Sequence, residues 1–370
     1  MKVMPIIMQD GVKAWGVFDT AGGAVISISQ YLSYLHNLQK SPNTIRAYAH
    51  HLKHYWQYLQ DKELNWTKVK LDHLAGFITW LRSPAKDVIT IHQATSKRTE
   101  SSINAALAAV TAFYKFHEQM GNVENLDLYS TKIAINPKYK SFLNHLNTTR
   151  LAKTRTLKIK VPVKLPRTVD RQFIEQLLES CYYLRDKLLI CMLYETGMRI
   201  GQLLGLRHAD IQSWDNEIQL IPRFNNENES RSKSNRANIL PVSPSLIKLY
   251  TNYVLSELED IESEYVFVCL KGQKRGRPLH YTAIQDLFKR LSNAIGCKIT
   301  PHMMRHTHAT ELIQQGWDMA LVQKRLEHLS IQTTINTYTH LSSKDLKDAL
   351  KKHQIRSLAD ECVDSRDHSR

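Results

Sequence analysis

The stretch LRDKLLICMLYETGMRIGQLLGLR, residues 184–207, sets the architecture of the second half of the chain. From 185 to 196 the residues are apolar nearly all round, which marks a helix buried on every side rather than one lying on a surface. Gly197 follows where such a helix is expected to end, because glycine turns left-handed without a steric penalty. Arg199 then stands at the start of another helix, whose Ile200, Leu203, Leu204 and Leu206 must face a core.

Downstream, two β-prone runs, EIQLI at 217–221 and NILPV at 238–242, are joined by a polar loop that carries Lys233, and several helices complete the chain. This second domain is expected over 167–356, followed by a polar tail at 357–370. Upstream, RLAKTRTLKIKVPVKLPRTVDR at 150–171 holds eight basic residues against the single acid Asp170. Its lysines, threonines and two prolines argue against a helix, so an extended basic linker is expected at 149–166, with Lys158, Lys160 and Lys164 able to lie along a phosphate backbone.

Before that linker the period is helical. In SPNTIRAYAHHLKHYWQYLQ, Ser41 can cap and Pro42 suits the first turn, after which Ile45, Tyr48, Leu52, Tyr55 and Leu59 recur at spacings of three and four. Arg46, His50 and Lys53 occupy the opposite side, as a DNA-facing surface or as an ordinary solvated face. A second helix starts at Ser101 or Ser102 with Ile103, Leu107, Val110 and Tyr114 as its stripe, and shorter ones are expected at 28–39 and 71–82. Residues 25–148 therefore form a helical domain. Residues 1–24 hold two β-prone runs around Asp10-Gly11, a hairpin signature. The whole is a mainly α chain with a small β-sheet, an α+β protein.

Charge narrows the partners. Of 370 residues, 50 are Lys or Arg and 35 are Asp or Glu, a net charge of +15. An excess of this size points to a polyanion, with nucleic acid ahead of a membrane surface because no anchoring helix or lipidation motif accompanies it. No run is long and apolar enough for a membrane span and no secretory signal opens the chain, so a cytoplasmic protein is expected. The five cysteines, Cys181, Cys191, Cys269, Cys297 and Cys362, form no C-x-x-C pair and suggest neither disulfides nor a cysteine zinc site.

The stretch PHMMRHTHAT, 301–310, concentrates three histidines and an arginine. Thr300 and Pro301 start a helix, so His302 and Arg305 share a face at its amino terminus, where free N–H groups and the dipole favour a phosphate. Buried core histidines are the plainer alternative. A zinc pair at His302 and His306 lacks the Glu of H-E-x-x-H and a marked third ligand. Further on, His328 ends one helix in KRLEHLSIQTT, and Tyr338 follows ten residues later in NTYTH, with Ser330 able to cap its helix.

TGMRIGQLLGLR, the Lys233 loop, HMMRHTHAT, LEHLSIQTT and NTYTH resemble, in this order, the blocks of the tyrosine recombinases, the phage integrase family. The resemblance spans about 330 residues, and the hairpin-like start with a long first domain also resembles the transposase branch. It implies a helical SAM-like core-binding domain joined to a catalytic domain, with double-stranded DNA as substrate. It also implies a tetramer of the chain on paired sites, accessory recombination proteins, and neither cofactor nor catalytic metal. On the same ground Tyr338 is the nucleophile that forms a 3′-phosphotyrosyl link, and Arg199, Arg305, His302 and His328 hold the scissile phosphate. Lys233 is the acid for the departing 5′ oxygen. A pentacoordinate phosphate needs such cations set in place beforehand. Lys274, Arg275 and Arg277, in LKGQKRGRPLHYT, are expected to follow the DNA backbone.

Two residues depart from the family pattern. Gln202 stands where an acid is usual and is expected to keep a hydrogen bond while losing a charge. Glu327 stands where a glycine usually precedes the second histidine, so it brings a carboxylate that could pair with His328 and forfeits glycine's backbone freedom. A type IB topoisomerase, or a catalytically silent DNA-binding protein of the same fold, would share most of these residues.

Overall fold

The computed structural model describes residues 1–7, 13–83, 98–133, 151–162, 167–232 and 236–327. The chain divides into two units, Met1–Val163 and Lys164–Arg370.

The first unit opens with the antiparallel hairpin β1 (Lys2–Ile7) and β2 (Lys13–Phe18). The expected hairpin packs into this unit: Val17 is fully buried, and the Arg46 guanidinium lies 4.8 Å from the Trp15 ring centroid. Helices α1 (Ile26–Asn37), α2 (Pro42–Asp61), α3 (Leu71–Arg82) and α4 (Glu100–Gln119) follow. The Ser41 hydroxyl accepts the Thr44 N–H at 3.2 Å, so the expected cap on α2 forms, and Ile45, Leu52, Tyr55 and Leu59 are buried. Helix α4 begins slightly earlier than expected, because Thr99 and not a serine caps it, and all four residues of its expected stripe are buried. Tyr55 and Tyr114 meet in this core through their hydroxyls at 2.6 Å, and Tyr114 donates onward to the Trp66 carbonyl. Two buried hydroxyls thus satisfy one another instead of standing orphaned.

Part of the expected linker belongs to this unit. Strand β3 (Tyr129–Ile133) pairs antiparallel with β4 (Leu151–Arg155). Beyond β4, Leu157 and Ile159 pack on the core while Lys158 and Lys160 stay exposed, and the Asn104 amide brackets Ile159 by bonding both its N–H and its carbonyl. The segment is extended, as its residues suggested. It is paired because alternation over a short run gives it an apolar side that the first unit can cover.

In the second unit, α5 (Arg171–Glu179) precedes the core helix α6 (Leu184–Thr196), in which Leu188, Leu189, Ile190, Met192 and Leu193 are fully buried. Gly197 ends α6 at φ +63°, and the single-turn α7 (Ile200–Leu203) follows with Arg199 at its amino cap. A three-stranded antiparallel sheet, β5 (Ile211–Gln212), β6 (Glu217–Leu220) and β7 (Asn238–Pro241), comes next. Ile218, Leu220 and Leu240 face the core, and Ile239 faces outward. Strand β5 went unread in the sequence because two residues carry no period.

Helices α8 (Pro244–Glu257), α9 (Tyr281–Ile295), α10 (Pro301–Gln314) and α11 (Met319–Leu326) complete the described unit. The protein is mainly helical with small sheets. Helices α10 and α11 join through a separate apolar cluster of Ala309, Leu312, Val322 and Leu326. Burying Leu312, Val322 and Leu326 contributes roughly 1.5–3 kcal/mol each, which fixes the carboxyl end of α11 against α10.

Candidate active site

Arg199 and Arg305 are 106 residues apart in sequence, and both donate to the carboxyl end of α11. Arg199 Nη2 donates to the Glu327 carbonyl at 3.2 Å, and Arg305 Nη2 donates to the neighbouring Leu326 carbonyl. Arg305 Nη1 donates to the Gly197 carbonyl at 2.7 Å, so this one guanidinium ties the ends of α6 and α11 together. Helix carboxyl ends expose unsatisfied carbonyls and partial negative charge, which is why buried cations settle there. Arg305 is only 4 % exposed, whereas the Arg199 side chain is 26 % exposed. Burial pulls the Arg199 guanidinium below its ordinary pKa, and Glu327 opposes that pull. At neutral pH both arginines keep their charge.

Gly197 is required twice over. Its φ is positive, and a Cβ there would lie 2.6 Å from His308 Cδ2 and 2.8 Å from Leu326 Cδ2. Gly201 is required for approach alone, since a Cβ would meet the Arg231 carbonyl oxygen at 2.6 Å. That contact brings the polar loop onto α7, where Asn228 anchors it by donating to the Leu204 and Leu279 carbonyls. Ser232, the last described residue before Lys233, lines one small cavity with Gly201 and Gln202.

Gln202 and Glu327 meet. The Gln202 amide oxygen accepts the Arg199 backbone N–H at 2.9 Å, as the third residue of a capping box does, and its Nε2 donates to Glu327 Oε2 at 2.6 Å. Glu327 Oε2 also lies 3.7 Å from Arg199 Nη1. Gln202 thus keeps its hydrogen bond, as its chemistry suggested. Glu327 caps α11 in the left-handed region, φ 51° and ψ 45°, a conformation that costs a residue with a Cβ about 1–2 kcal/mol. Its carboxylate is engaged by Gln202 and Arg199, and Oε1 is buried with no hydrogen-bond partner among the described residues.

On α10, the Thr300 side chain caps the start by accepting the Met303 N–H. His302 is exposed on the first turn, and its Nε2 lies 3.1 Å from Nε2 of His306, so one ring donates and the other accepts. Burial, His302 and Arg305 together push His306 down to about 4, which keeps it neutral. His308 is a packing residue: burial and two arginines push it down to about 3, and its Nε2 accepts from Arg325 Nε at 3.1 Å. Arg325 also donates to the Glu195 and Pro241 carbonyls, a role with no signal in the local pattern.

Lys233, His328 and Tyr338 lie outside the described residues, as does Lys164. Of the described residues just before two of them, Glu327 is bonded to Gln202 and Ser232 lines a cavity with it. Arg46, Lys274, Arg275 and Arg277 are exposed, and His50 and Lys53 are partly exposed on the side of α2 away from its core. Among the described residues, no three His, Cys, Asp or Glu side chains gather as ion ligands, and no helix is long and apolar enough to cross a membrane.

Residues 167–345 match the phage integrase family, and residues 28–121 match the phage integrase N-terminal SAM-like domain. Transposase A from transposon Tn554 of Staphylococcus aureus is 40 % identical over 328 residues, covering 88 % of this chain and 90 % of that protein. Tyrosine recombinase XerD of Oceanobacillus iheyensis is 27 % identical over 327 residues, covering 86 % and 94 %. Among solved structures, the Tn1549 transposon integrase in complex with a circular intermediate DNA superposes with a TM-score of 0.61 at 15 % identity, over 88 % of this chain and 99 % of that one. XerH recombinase bound to a palindromic difH substrate gives a TM-score of 0.58 at 18 % identity, over 87 % and 82 %.

Proposed function

The chain belongs to the phage integrase family and is a site-specific recombinase that cuts and rejoins DNA; from that premise we propose that Arg199, Arg305, His302, His328, Lys233 and Tyr338 form its catalytic centre. The observation that carries this reading is the pair of arginines fastened to consecutive carbonyls, Leu326 and Glu327, immediately before His328. In the sequence His328 comes one residue after the carbonyl that holds Arg199 and two after the one that holds Arg305.

In this reading Tyr338 attacks the scissile phosphodiester, its phenolic oxygen bonds to phosphorus, and the 5′ oxygen leaves. Tyr338 has an ordinary pKa near 10, so neighbouring cations favour the phenolate that attacks. Arg199, whose side chain is 26 % exposed, donates to a non-bridging oxygen, and the buried Arg305 adds positive charge from a water-poor setting. His302 and His328 donate to the same phosphate. Lys233 delivers the proton to the 5′ oxygen. The 3′-phosphotyrosyl bond conserves the energy of the broken linkage, and attack by a new 5′ hydroxyl reverses the step.

The first unit, with Arg46, His50, Lys53, Lys158 and Lys160 on its surface, contacts the phosphate backbone of the duplex, and Lys164, Lys274, Arg275 and Arg277 add further backbone contacts. Four protomers act on two paired sites at the ends of a mobile element, directed by accessory proteins.

The test is a suicide duplex, nicked beside the cleavage position and carrying the DNA end that adjoins the protein's own gene. Wild type should accumulate a covalent protein–DNA complex resistant to denaturant, and Tyr338→Phe should abolish it. Equal complex from both proteins would refute Tyr338 as nucleophile. Joining of two sites without relaxation of a one-site plasmid separates this activity from a topoisomerase.

A further inference from the structure

We infer that Glu327 is a positioning residue of this recombinase: its carboxylate, hydrogen-bonded to Gln202, supplies the negative charge that orients Arg199 towards the scissile phosphate. The two departures from the family pattern are then one feature, a carboxylate carried at position 327 with an amide as its partner at 202. This inference rests on the assignment of Arg199 to the phosphate.

Position 202 faces the Arg199 backbone and position 327 faces its guanidinium, so the two side chains hold one arginine from both ends. The Gln202 amide oxygen fixes the Arg199 N–H at 2.9 Å, and its Nε2 hands the contact on to Glu327 Oε2 at 2.6 Å. An amide carries no charge. The only carboxylate that the described residues bring to the Arg199 guanidinium is that of Glu327, 3.7 Å from Nη1. At that distance the Nη1 contact is electrostatic and not a closed bidentate bridge, so with Nη2 on the Glu327 carbonyl the carboxylate orients Nη1 without closing a hydrogen bond on it.

Glu327 is also retained against two local penalties. It holds a left-handed backbone, φ 51°, that glycine would occupy without strain, and its side chain is only 9 % exposed with Oε1 unpartnered among the described residues. A residue kept for packing or capping alone would not need a buried carboxylate there. Its backbone already does the capping, through an N–H that donates to Gln323 and Lys324 and a carbonyl that accepts from Arg199.

A reciprocal exchange tests this. Cleavage of the suicide duplex is measured at saturating DNA for wild type, Glu327→Gly, Gln202→Glu, and the double variant, alongside duplex affinity and thermal unfolding. Glu327→Gly should slow covalent complex formation by about tenfold or more while the duplex Kd stays within about threefold, the signature of a transition-state effect. Its melting temperature should stay level or rise, because glycine relieves the left-handed strain; a structural defect would lower it.

Gln202→Glu alone sets two carboxylates at hydrogen-bond distance in place of an amide and a carboxylate, and should also slow cleavage. The double variant restores one carboxylate and a relaxed glycine, and should return to within about threefold of wild type, a non-additive rescue. Wild-type speed in Glu327→Gly overturns the inference, and so does a double variant no faster than Glu327→Gly. If wild type forms no covalent complex, or Tyr338→Phe forms as much, the assignment of the catalytic centre fails, and the role of Glu327 falls with it.

Discussion

Gly197→Ala should destabilise the catalytic unit by about 2–5 kcal/mol and slow DNA cleavage with it. Two contributions add. A residue with a Cβ held at φ +63° loses about 1–2 kcal/mol relative to glycine. The new methyl would also overlap His308 Cδ2 at 2.6 Å and Leu326 Cδ2 at 2.8 Å. Neither neighbour can swing aside, because His308 is 6 % exposed with its ring held by Arg325, and Leu326 is 1 % exposed in the cluster between α10 and α11. Overpacking at such a place costs about 1–3 kcal/mol. The relief available is a movement of α11 away from α6, and that movement drags the Leu326 carbonyl from Arg305. Gly272→Ala supplies the control. Its φ is +78° but nothing lies within 4 Å of a Cβ, so only the backbone contribution of about 1–2 kcal/mol should appear. Equilibrium urea unfolding of the two variants reads the difference, and the suicide duplex reads the loss of cleavage. Equal destabilisation by the two substitutions would refute the overlap, and with it the claim that Gly197 sets the distance between α6 and α11.

Two further outcomes follow from buried charge. Asp210 is fully buried and receives both guanidinium arms of Arg223, at 2.6 and 2.7 Å, together with the Arg207 N–H. Arg223→Met should therefore cost about 3–5 kcal/mol in urea unfolding by stranding that carboxylate, whereas removing both charges with Arg223→Met and Asp210→Asn should cost less. The second outcome concerns pH. His308 is pushed down to about 3 in the folded protein, below its unfolded value of 6.5, so as pH falls below 6.5 the unfolded chain takes up a proton that the folded one refuses. Stability is unaffected by this group above pH 6.5 and falls below it, by roughly 2 kcal/mol between pH 6.5 and 5. His308→Gln, which keeps an acceptor for Arg325, should remove about that much of the difference between unfolding free energies measured at pH 7 and pH 5. An unchanged difference would show that His308 is not the acid-sensitive group.

The local elements were legible because their signals are local. Ser41-Pro42 starts α2, Thr300-Pro301 starts α10, and the all-apolar run before Gly197 is α6. Within residues 301–310 the structure separates the histidines: His308 is buried among packing partners while His302 stays exposed on the first turn. What escaped had no period or was too short to show one. Strand β5 has two residues, and β4 exists only because β3 pairs with it. Arg325, to which no local pattern gave a role, bridges the Glu195 and Pro241 carbonyls and His308.

By itself the sequence determined the two-part organisation and the basic composition that suits a polyanion. These rest on charge and periodicity, which a chain carries whether folded or not, whereas the candidate cations and the tyrosine came from the resemblance of its motifs to a family. Only the tertiary structure decided how the two arginines are held: that Arg305 is buried and braces two helix ends, that Arg199 is partly exposed, and that the carboxylate beside it is that of Glu327, bonded to Gln202 from 125 residues away. A hydrogen bond between residues so distant in sequence leaves no local signature. It depends on the packing of α10 against α11 and on the absence of a Cβ at Gly197.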